Sequence, residues 1–369
     1  MLKILHLYKT YYPDSYGGIE QVIFQLSEGA FASGISSTVL ALSPNGSSDS
    51  KPFYRHHVAY SAISWQFAST PFSYKAIGHF KALAAGADII HYHFPFPFMD
   101  IMHFVAGIKK PTVVTYHSDI VKQKAMLQLY RPLMNRFLTS VDRIVASSPN
   151  YVDSSPVLQR FLPKISVIPF GLDPASYPPA RDELLEAWRS RIGGPFFLFI
   201  GAFRYYKGLQ TLLVAAKISG YPVVLVGVGP MEGELKQQAA QLGLRNIHFL
   251  GALPDKDKIA LLTLCYGIVF PSHLRSEAFG ITLLEGAMFA KPMITCEIGT
   301  GTTFVNIHHE TGLAVRPTDP EELADAMRQL WHNPVLARRY GDNARERFDA
   351  MFTSAKMVES YISLYRSLL

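Results

Sequence analysis

The sequence predicts a bilobed α/β protein made of two parallel sheets, each covered by helices. Three observations predict it. Through the first half, short apolar runs alternate with helical patterns, as in sheets built from strand–helix–strand units. Residues 169–194 then break the pattern with prolines and glycines, from Pro169 and Gly171 to Gly193 and Gly194, which is linker chemistry. Beyond the break the alternation restarts. At 369 residues, the chain has room for two domains of roughly 100–200 residues each.

In the first lobe, residues 3–8, 37–42, 88–92, 112–116, 143–147 and 166–168 are short apolar runs and read as strands. Residues 18–33, 74–84 and 123–140 repeat apolar positions at helical spacing and read as helices. Residues 87–108 are the most apolar stretch, but Asp88, His91, His93, Asp100 and His103 interrupt it and Pro95 and Pro97 break it. A membrane span needs about 20 mostly apolar residues, so none is expected. The break at 169–194 is expected to contain one short helix. In the second lobe, residues 196–200, 223–226, 247–250, 267–270, 293–295 and 312–314 read as strands. Residues 209–218, 232–242, 256–264, 282–289 and 320–331 read as helices, and 352–369 forms a last helix after the sheet is complete. In open parallel sheets ligands bind outside the carboxyl ends of the strands, so a cleft between the lobes is the expected site.

Composition narrows the function classes. The chain is 49% hydrophobic and 17% charged, which argues against disorder. Cys265 and Cys296 are the two cysteines; both lie in apolar stretches without metal-ligand spacing and read as reduced, buried thiols. The N-terminus reads as a first strand and not as a secretory leader. The net charge is +6, and residues 1–175 carry 15 Lys and Arg against 10 Asp and Glu. No nucleic-acid motif accompanies this basic half. An anionic membrane surface or a phosphate-bearing acceptor fits it better.

The motifs lie where loops leave strands. Pro271 to Gly286 runs from a strand through a loop into an apolar helix, with Glu277 before that helix and Glu285 eight residues later, inside it. The first amides of the helix, from Phe279 through Gly280 to Ile281, lack intrahelical partners and favour a polar or anionic ligand. A carboxylate can accept two hydrogen bonds from a vicinal diol, so two glutamates suit the two sugars of a nucleotide-sugar; a capping Glu277 and a solvated Glu285 are the plain alternative. Arg204 and Lys207, after the lobe's first strand, can offset a diphosphate or form a basic turn. Gly17 and Gly18 precede a helix and allow close approach of a ligand to the backbone. His117 ends a strand and is expected to face the cleft, where it can hydrogen-bond a sugar; a satisfied structural histidine is the plain alternative. Gly227-Val228-Gly229-Pro230 with Gly233 is half a dinucleotide fingerprint with the wrong later spacing. Asp255-Lys256-Asp257 reads as a helix start, and His308-His309 lacks a third ligand for zinc.

Taken in order, these pieces resemble the retaining glycosyltransferases of the GT-B fold, which have two Rossmann-like, doubly wound domains with a cleft between them. Ser276-Glu277-Ala278-Phe279-Gly280 through Glu285 is similar to that family's Glu-x7-Glu motif, and Gly17-Gly18, His117, Pro169-Phe170-Gly171, Lys207-Gly208 and Glu310-Thr311-Gly312 follow in the family's order. The resemblance implies an acceptor-binding domain at 1–172, with helix 352–369 packing back on it, and a donor-binding domain at 173–351. It implies that Lys207 and an arginine hold the diphosphate and Glu285 the ribose. Glu277 with the Phe279 and Gly280 amides holds the donor sugar, and Gly17 and Gly18 approach the phosphate and acceptor. His117 contacts the reacting sugar. The sequence departs at one point: the arginine expected directly after Gly201 is Ala202, and the nearest arginine is Arg204.

Residues 275–280 and 296–302 look like bacterial O-antigen mannosyl- and rhamnosyltransferases. That likeness implies a GDP-sugar donor, no separate cofactor and no metal. It also implies a lipid-linked saccharide acceptor and a cytoplasmic site at the inner face of the membrane. Lys109, Lys110, Lys122, Lys124, Arg131 and Arg136 surround a helix bearing Val121, Met126, Leu127, Leu129, Leu133, Met134 and Phe137, a pattern expected to dock on anionic lipid or to form a solvated helix with one core face. A UDP-sugar donor, a sugar-nucleotide epimerase or hydrolase, and a silent nucleotide-sugar sensor remain alternatives.

Overall fold

The computed structural model describes residues 1–44, 46, 50–67, 70–120 and 124–369. The chain divides into two compact units, Met1–Gly171 with Ser354–Leu369, and Leu172–Thr353.

The first unit carries β1 (Leu2–Leu7), β2 (Ile35–Ser43), β3 (Ser50–Phe53), β4 (His56–Ala62), β5 (Trp65–Phe67), β6 (Thr70–Phe72), β7 (Ile89–Phe94), β8 (Thr112–Tyr116), β9 (Arg143–Ala146) and β10 (Ile165–Val167). Its main sheet runs β10-β9-β8-β7-β1-β2-β4-β3. Only β3 pairs antiparallel in it. The central strands are apolar runs buried on both faces, as parallel sheets require; every residue of β7 and β8 is buried. Four strands were not expected. β3 forms the sheet's edge beside β4, and Lys51 and Pro52 lie exposed there and blunt it against further pairing. β5 and β6 form a separate hairpin. A helix at Pro97–Ala106 was also missed: Pro97 opens its first turn and Gly107, at φ 64°, closes it, so the prolines that read as breakers start a helix. The last helix, Ser354–Arg366, packs on the helix Gly18–Phe31.

The second unit opens with a short 3-10 turn at Pro174–Ser176 and the helix Asp182–Ile192, and carries β11 (Phe197–Ile200), β12 (Val223–Val226), β13 (Ile247–Gly251), β14 (Gly267–Phe270), β15 (Met293–Cys296) and β16 (Gly312–Val315). All pairs are parallel, in the order β13-β12-β11-β14-β15-β16. This is the dinucleotide-fold order, which reverses between β11 and β14; ligands bind at such a reversal, outside the carboxyl ends. A helix at Pro334–Met351 follows the unit's sixth strand and was not expected.

Candidate functional site

The loops leaving β11 and β14 meet at the reversal. Gly208 makes this possible. Its φ is +68°, and a Cβ there would fall 2.0 Å from the Pro271 carbonyl oxygen, so the first loop presses directly on the second. His273 N donates to the Tyr206 carbonyl at 3.0 Å and ties them further. The result brings Lys207 to Glu277, with Nζ 2.5 Å from Oε2. Both side chains are 11% exposed. Ser272 Oγ donates to the same carboxylate oxygen at 3.1 Å. The Lys207 ammonium also lies over the Phe270 ring, 4.5 Å from its centroid, a cation–π contact. Burial, then the Glu277 charge, drives the Tyr206 phenol pKa up.

The helix Ile281–Met288 starts behind this pair, with Gly280 as its N-cap at φ 90°. Phe279 is buried and meets Phe352, with ring centroids 6.1 Å apart. The Gly280 and Ile281 amides stand at the open end of the helix, where the dipole favours an anion. Glu285 is not solvated, contrary to its plain alternative reading; it is 3% exposed. Its Oε1 accepts from Tyr177 OH at 2.8 Å and pairs with Lys258 Nζ at 3.1 Å. The Glu285 charge is the main reason that the Lys258 pKa is driven up. Ser272, Tyr177 and Lys258 escaped the sequence reading. The Lys258 signal lay in the helix start at Asp255: Lys258 pairs with Asp255 at 3.2 Å, and Asp257 accepts from Trp188 Nε1 at 2.9 Å, so both acids serve the structure.

Arg204 is not drawn into this cluster. It is exposed, and its guanidinium makes no hydrogen bond or ion pair among the described residues. Gly227 packs on the neighbouring loop, where a Cβ would meet the Gly201 carbonyl oxygen at 2.0 Å; the half fingerprint is strand-end packing. His308 Nδ1 accepts from Ala314 N at 2.9 Å and His309 Nδ1 contacts Tyr340 OH at 3.3 Å.

In the first unit, Gly17 caps the helix Gly18–Phe31 at an ordinary φ of −97°. A Cβ there would lie 2.4 Å from Glu20 Oε2, so a larger residue would have to displace that carboxylate. Glu20 is buried and its Oε1 accepts from Thr10 Oγ1 at 2.8 Å. Gly18 is exposed beside it. His117 is only 5% exposed. Its ring stacks on Phe170 at 5.3 Å and its Nε2 lies 2.9 Å from His93 Nδ1. Burial pushes its pKa down to about 3, so it is neutral near pH 7. His6, His91 and His93 lie beside it, with one ring nitrogen of each within 4.8 Å of the others. Both nitrogens of His91 are engaged, by Tyr365 OH at 2.6 Å and Thr115 Oγ1 at 2.7 Å.

The basic helix is observed at Lys124–Ser140. Met134 and Phe137 face the core, so the expected apolar face is partly interior; Leu129, at 85% exposure, and Met126 remain outside with Arg131 and Arg136. Val121 and Lys122 lie outside the described residues. Among the described residues no helix is long and apolar enough to cross a membrane.

Two family descriptions match the chain, Glycosyltransferase Family 4 over residues 16–176 and Glycosyl transferases group 1 over residues 180–347. The chain is 54% identical over 368 residues to O-antigen chain mannosyltransferase C of Escherichia coli, covering 100% of this chain and 99% of that protein. It is 55% identical over 353 residues to the D-rhamnosyltransferase WbpZ of Pseudomonas aeruginosa, covering 96% and 93%. Among solved structures, a sucrose-phosphate synthase from Thermosynechococcus elongatus matches with TM-score 0.83 at 21% identity, over 100% of this chain and 99% of that one. Anabaena HepE, solved with UDP and glucose, matches with TM-score 0.77 at 18% identity over 100% of both chains.

Proposed function

The chain belongs to the GT-B glycosyltransferases, and we propose that it transfers mannose or D-rhamnose from a GDP-sugar to a lipid-linked saccharide, with retention of configuration, in surface-polysaccharide synthesis. The observation that carries this reading is the buried Lys207–Glu277 pair at the strand-order reversal of the second unit. Lys207 supplies the cation for a diphosphate, and the exposed Arg204 adds to it. Glu277 and the Gly280 and Ile281 amides orient the sugar, while Glu285, held by Tyr177 and Lys258, accepts from the ribose diol. The acceptor attacks on the face that the diphosphate leaves, and a departing phosphate oxygen takes the acceptor's proton. No side chain serves as nucleophile in this scheme; the protein positions the partners and stabilises the leaving charge. Lys207 and the helix amides fill the role that a metal plays elsewhere, so chelation with EDTA is expected to leave transfer unchanged.

The names of the relatives at 54% and 55% identity support the sugar. A UDP-sugar is the competing donor, since a protein of the same fold was solved with UDP and glucose. A thermal-shift screen of GDP-, UDP- and ADP-sugars separates them, because stabilisation follows affinity. Stabilisation by a UDP-sugar and by no GDP-sugar refutes the GDP reading. We further propose that Met126, Leu129, Arg131 and Arg136 rest on anionic lipid near the acceptor. Equal flotation with and without anionic liposomes refutes that contact.

A further inference from the structure

Three imidazoles of the first unit form one line. His6 lies on β1, His93 on β7, and His117 directly follows β8, and these three strands are neighbours. His6 pairs in register with His91, and His93 with Thr115. Each step across the sheet therefore climbs two residues, which keeps the three rings on one face. The spacing suits hydrogen bonds: His6 Nδ1 to His93 Nε2 is 3.1 Å, and His93 Nδ1 to His117 Nε2 is 2.9 Å. All three rings are buried. His91 stacks on His93 at 4.4 Å, and its partners Tyr365 and Thr115, with Tyr361 bonded to Thr115 at 2.7 Å, close the row on that side.

A neutral imidazole has one N–H and one lone pair. His93 cannot then donate to both neighbours, which takes an imidazolium, or accept from both, which takes an imidazolate. The line has two consistent states. Either all three rings carry the proton on Nδ1, or all three carry it on Nε2. Burial holds His6 near a pKa of about 3 and His93 well below its ordinary value, which keeps the middle ring neutral.

We propose that His93 and His6 are positioning residues for His117: the hydrogen-bonded line fixes which of its ring nitrogens carries the proton, and so whether the outer Nδ1 donates to or accepts from a sugar oxygen. The functional half of this proposal rests on the reading that His117 acts at the transferred sugar. The tautomer coupling itself does not.

The test is 15N NMR of ring-labelled histidine in the full-length protein near pH 7, with kinetics on the same variants. The expected spectrum shows His6, His93 and His117 neutral and protonated on the same ring nitrogen. In His93→Phe, which keeps a ring but removes both bonds, His117 loses its fixed tautomer. The kcat then falls on the order of tenfold, as for one lost hydrogen bond, with the donor KM held within about twofold. His93→Asn, with a donor and an acceptor near the position of Nδ1, recovers part of kcat. Mixed tautomers, a doubly protonated His93, or a His117 signal unchanged in His93→Phe overturns the coupling. So does a stoichiometric metal bound to these histidines in the purified protein. If His93→Phe does not fold, the wild-type spectrum decides. Wild-type transfer by His117→Ala overturns the functional half alone and marks the failure as one of the reading beneath it.

Discussion

Replacing Glu277 by alanine strips the carboxylate from a buried lysine. Lys207 Nζ sits 2.5 Å from that carboxylate, and both side chains are 11% exposed. Breaking one half of a buried pair costs about 3–5 kcal/mol, because the remaining charge is left without compensation. The cation–π contact with Phe270 and the residual solvent access favour the lower end. For a unit the size of residues 172–353, each kcal/mol moves Tm by about 2–4 °C, so Glu277→Ala lowers the melting point of that unit by roughly 6–12 °C. Lys207→Met placed on top of it removes the stranded charge and restores much of the loss, since exchanging a whole buried pair for apolar groups is often near neutral. Differential scanning calorimetry of the two single variants and the double variant reads this cycle. Losses that simply add, or a Glu277→Ala shift under about 2 °C, refute the coupling. In the same variant, sugar transfer is lost while GDP binding by calorimetric titration persists.

Other perturbations separate the parts of the site. Glu285→Ala removes the acceptor for Tyr177 and the partner of Lys258; GDP binding weakens by about tenfold or more, as for a charged hydrogen bond, and unchanged GDP affinity contradicts a ribose role. Gly208→Ala drives a Cβ to 2.0 Å from the Pro271 carbonyl at a φ of +68°. The two loops separate, and both Tm and donor-induced stabilisation fall; a variant with wild-type donor response contradicts the loop-to-loop account. Acidification should weaken the first unit. Burial lowers the folded pKa of His6 and His117 to about 3 and that of His91 and His93 well below the ordinary 6.5. Below pH 6.5 the unfolded chain then takes up protons that the folded chain refuses. Stability is complete above that pH and falls as pH drops towards 3, by up to about 1.4 kcal/mol per pH unit for each histidine. A melting temperature that is flat between pH 7 and pH 5 contradicts neutral burial of these rings.

What could be read in the sequence was local. Buried parallel strands such as Phe197–Ile200 and Val223–Val226 are continuous apolar runs, and Glu277 and Glu285 stand on one loop and the helix after it, so their spacing exposes them. The edge strand Ser50–Phe53 has no buried residue and its neighbour His56–Ala62 is only partly buried, so both carry polar residues and no run marks them. The helix Pro334–Met351 carried a signal that went unused: Asn333 Oδ1 accepts from Leu336 N at 3.0 Å and Pro334 opens the first turn, a cap and start pair. Tyr177 reaches Glu285 across 108 residues of chain, and His6 reaches His93 across 87. Such partners are chosen by strand order and register, which periodicity does not encode. The same cause hid the partner of His117, because His93 lies on the neighbouring strand.

The central claim is transfer of a sugar from a nucleotide donor, dependent on Glu277. The most direct measurement incubates the protein with GDP-mannose or GDP-D-rhamnose and a lipid-linked saccharide, then follows the product by mass spectrometry and its anomeric configuration by NMR. The expected product carries a single added hexose or deoxyhexose mass with the donor's configuration kept, and Glu277→Ala gives no product. Donor consumption without any sugar on the acceptor, or full product from Glu277→Ala, contradicts it.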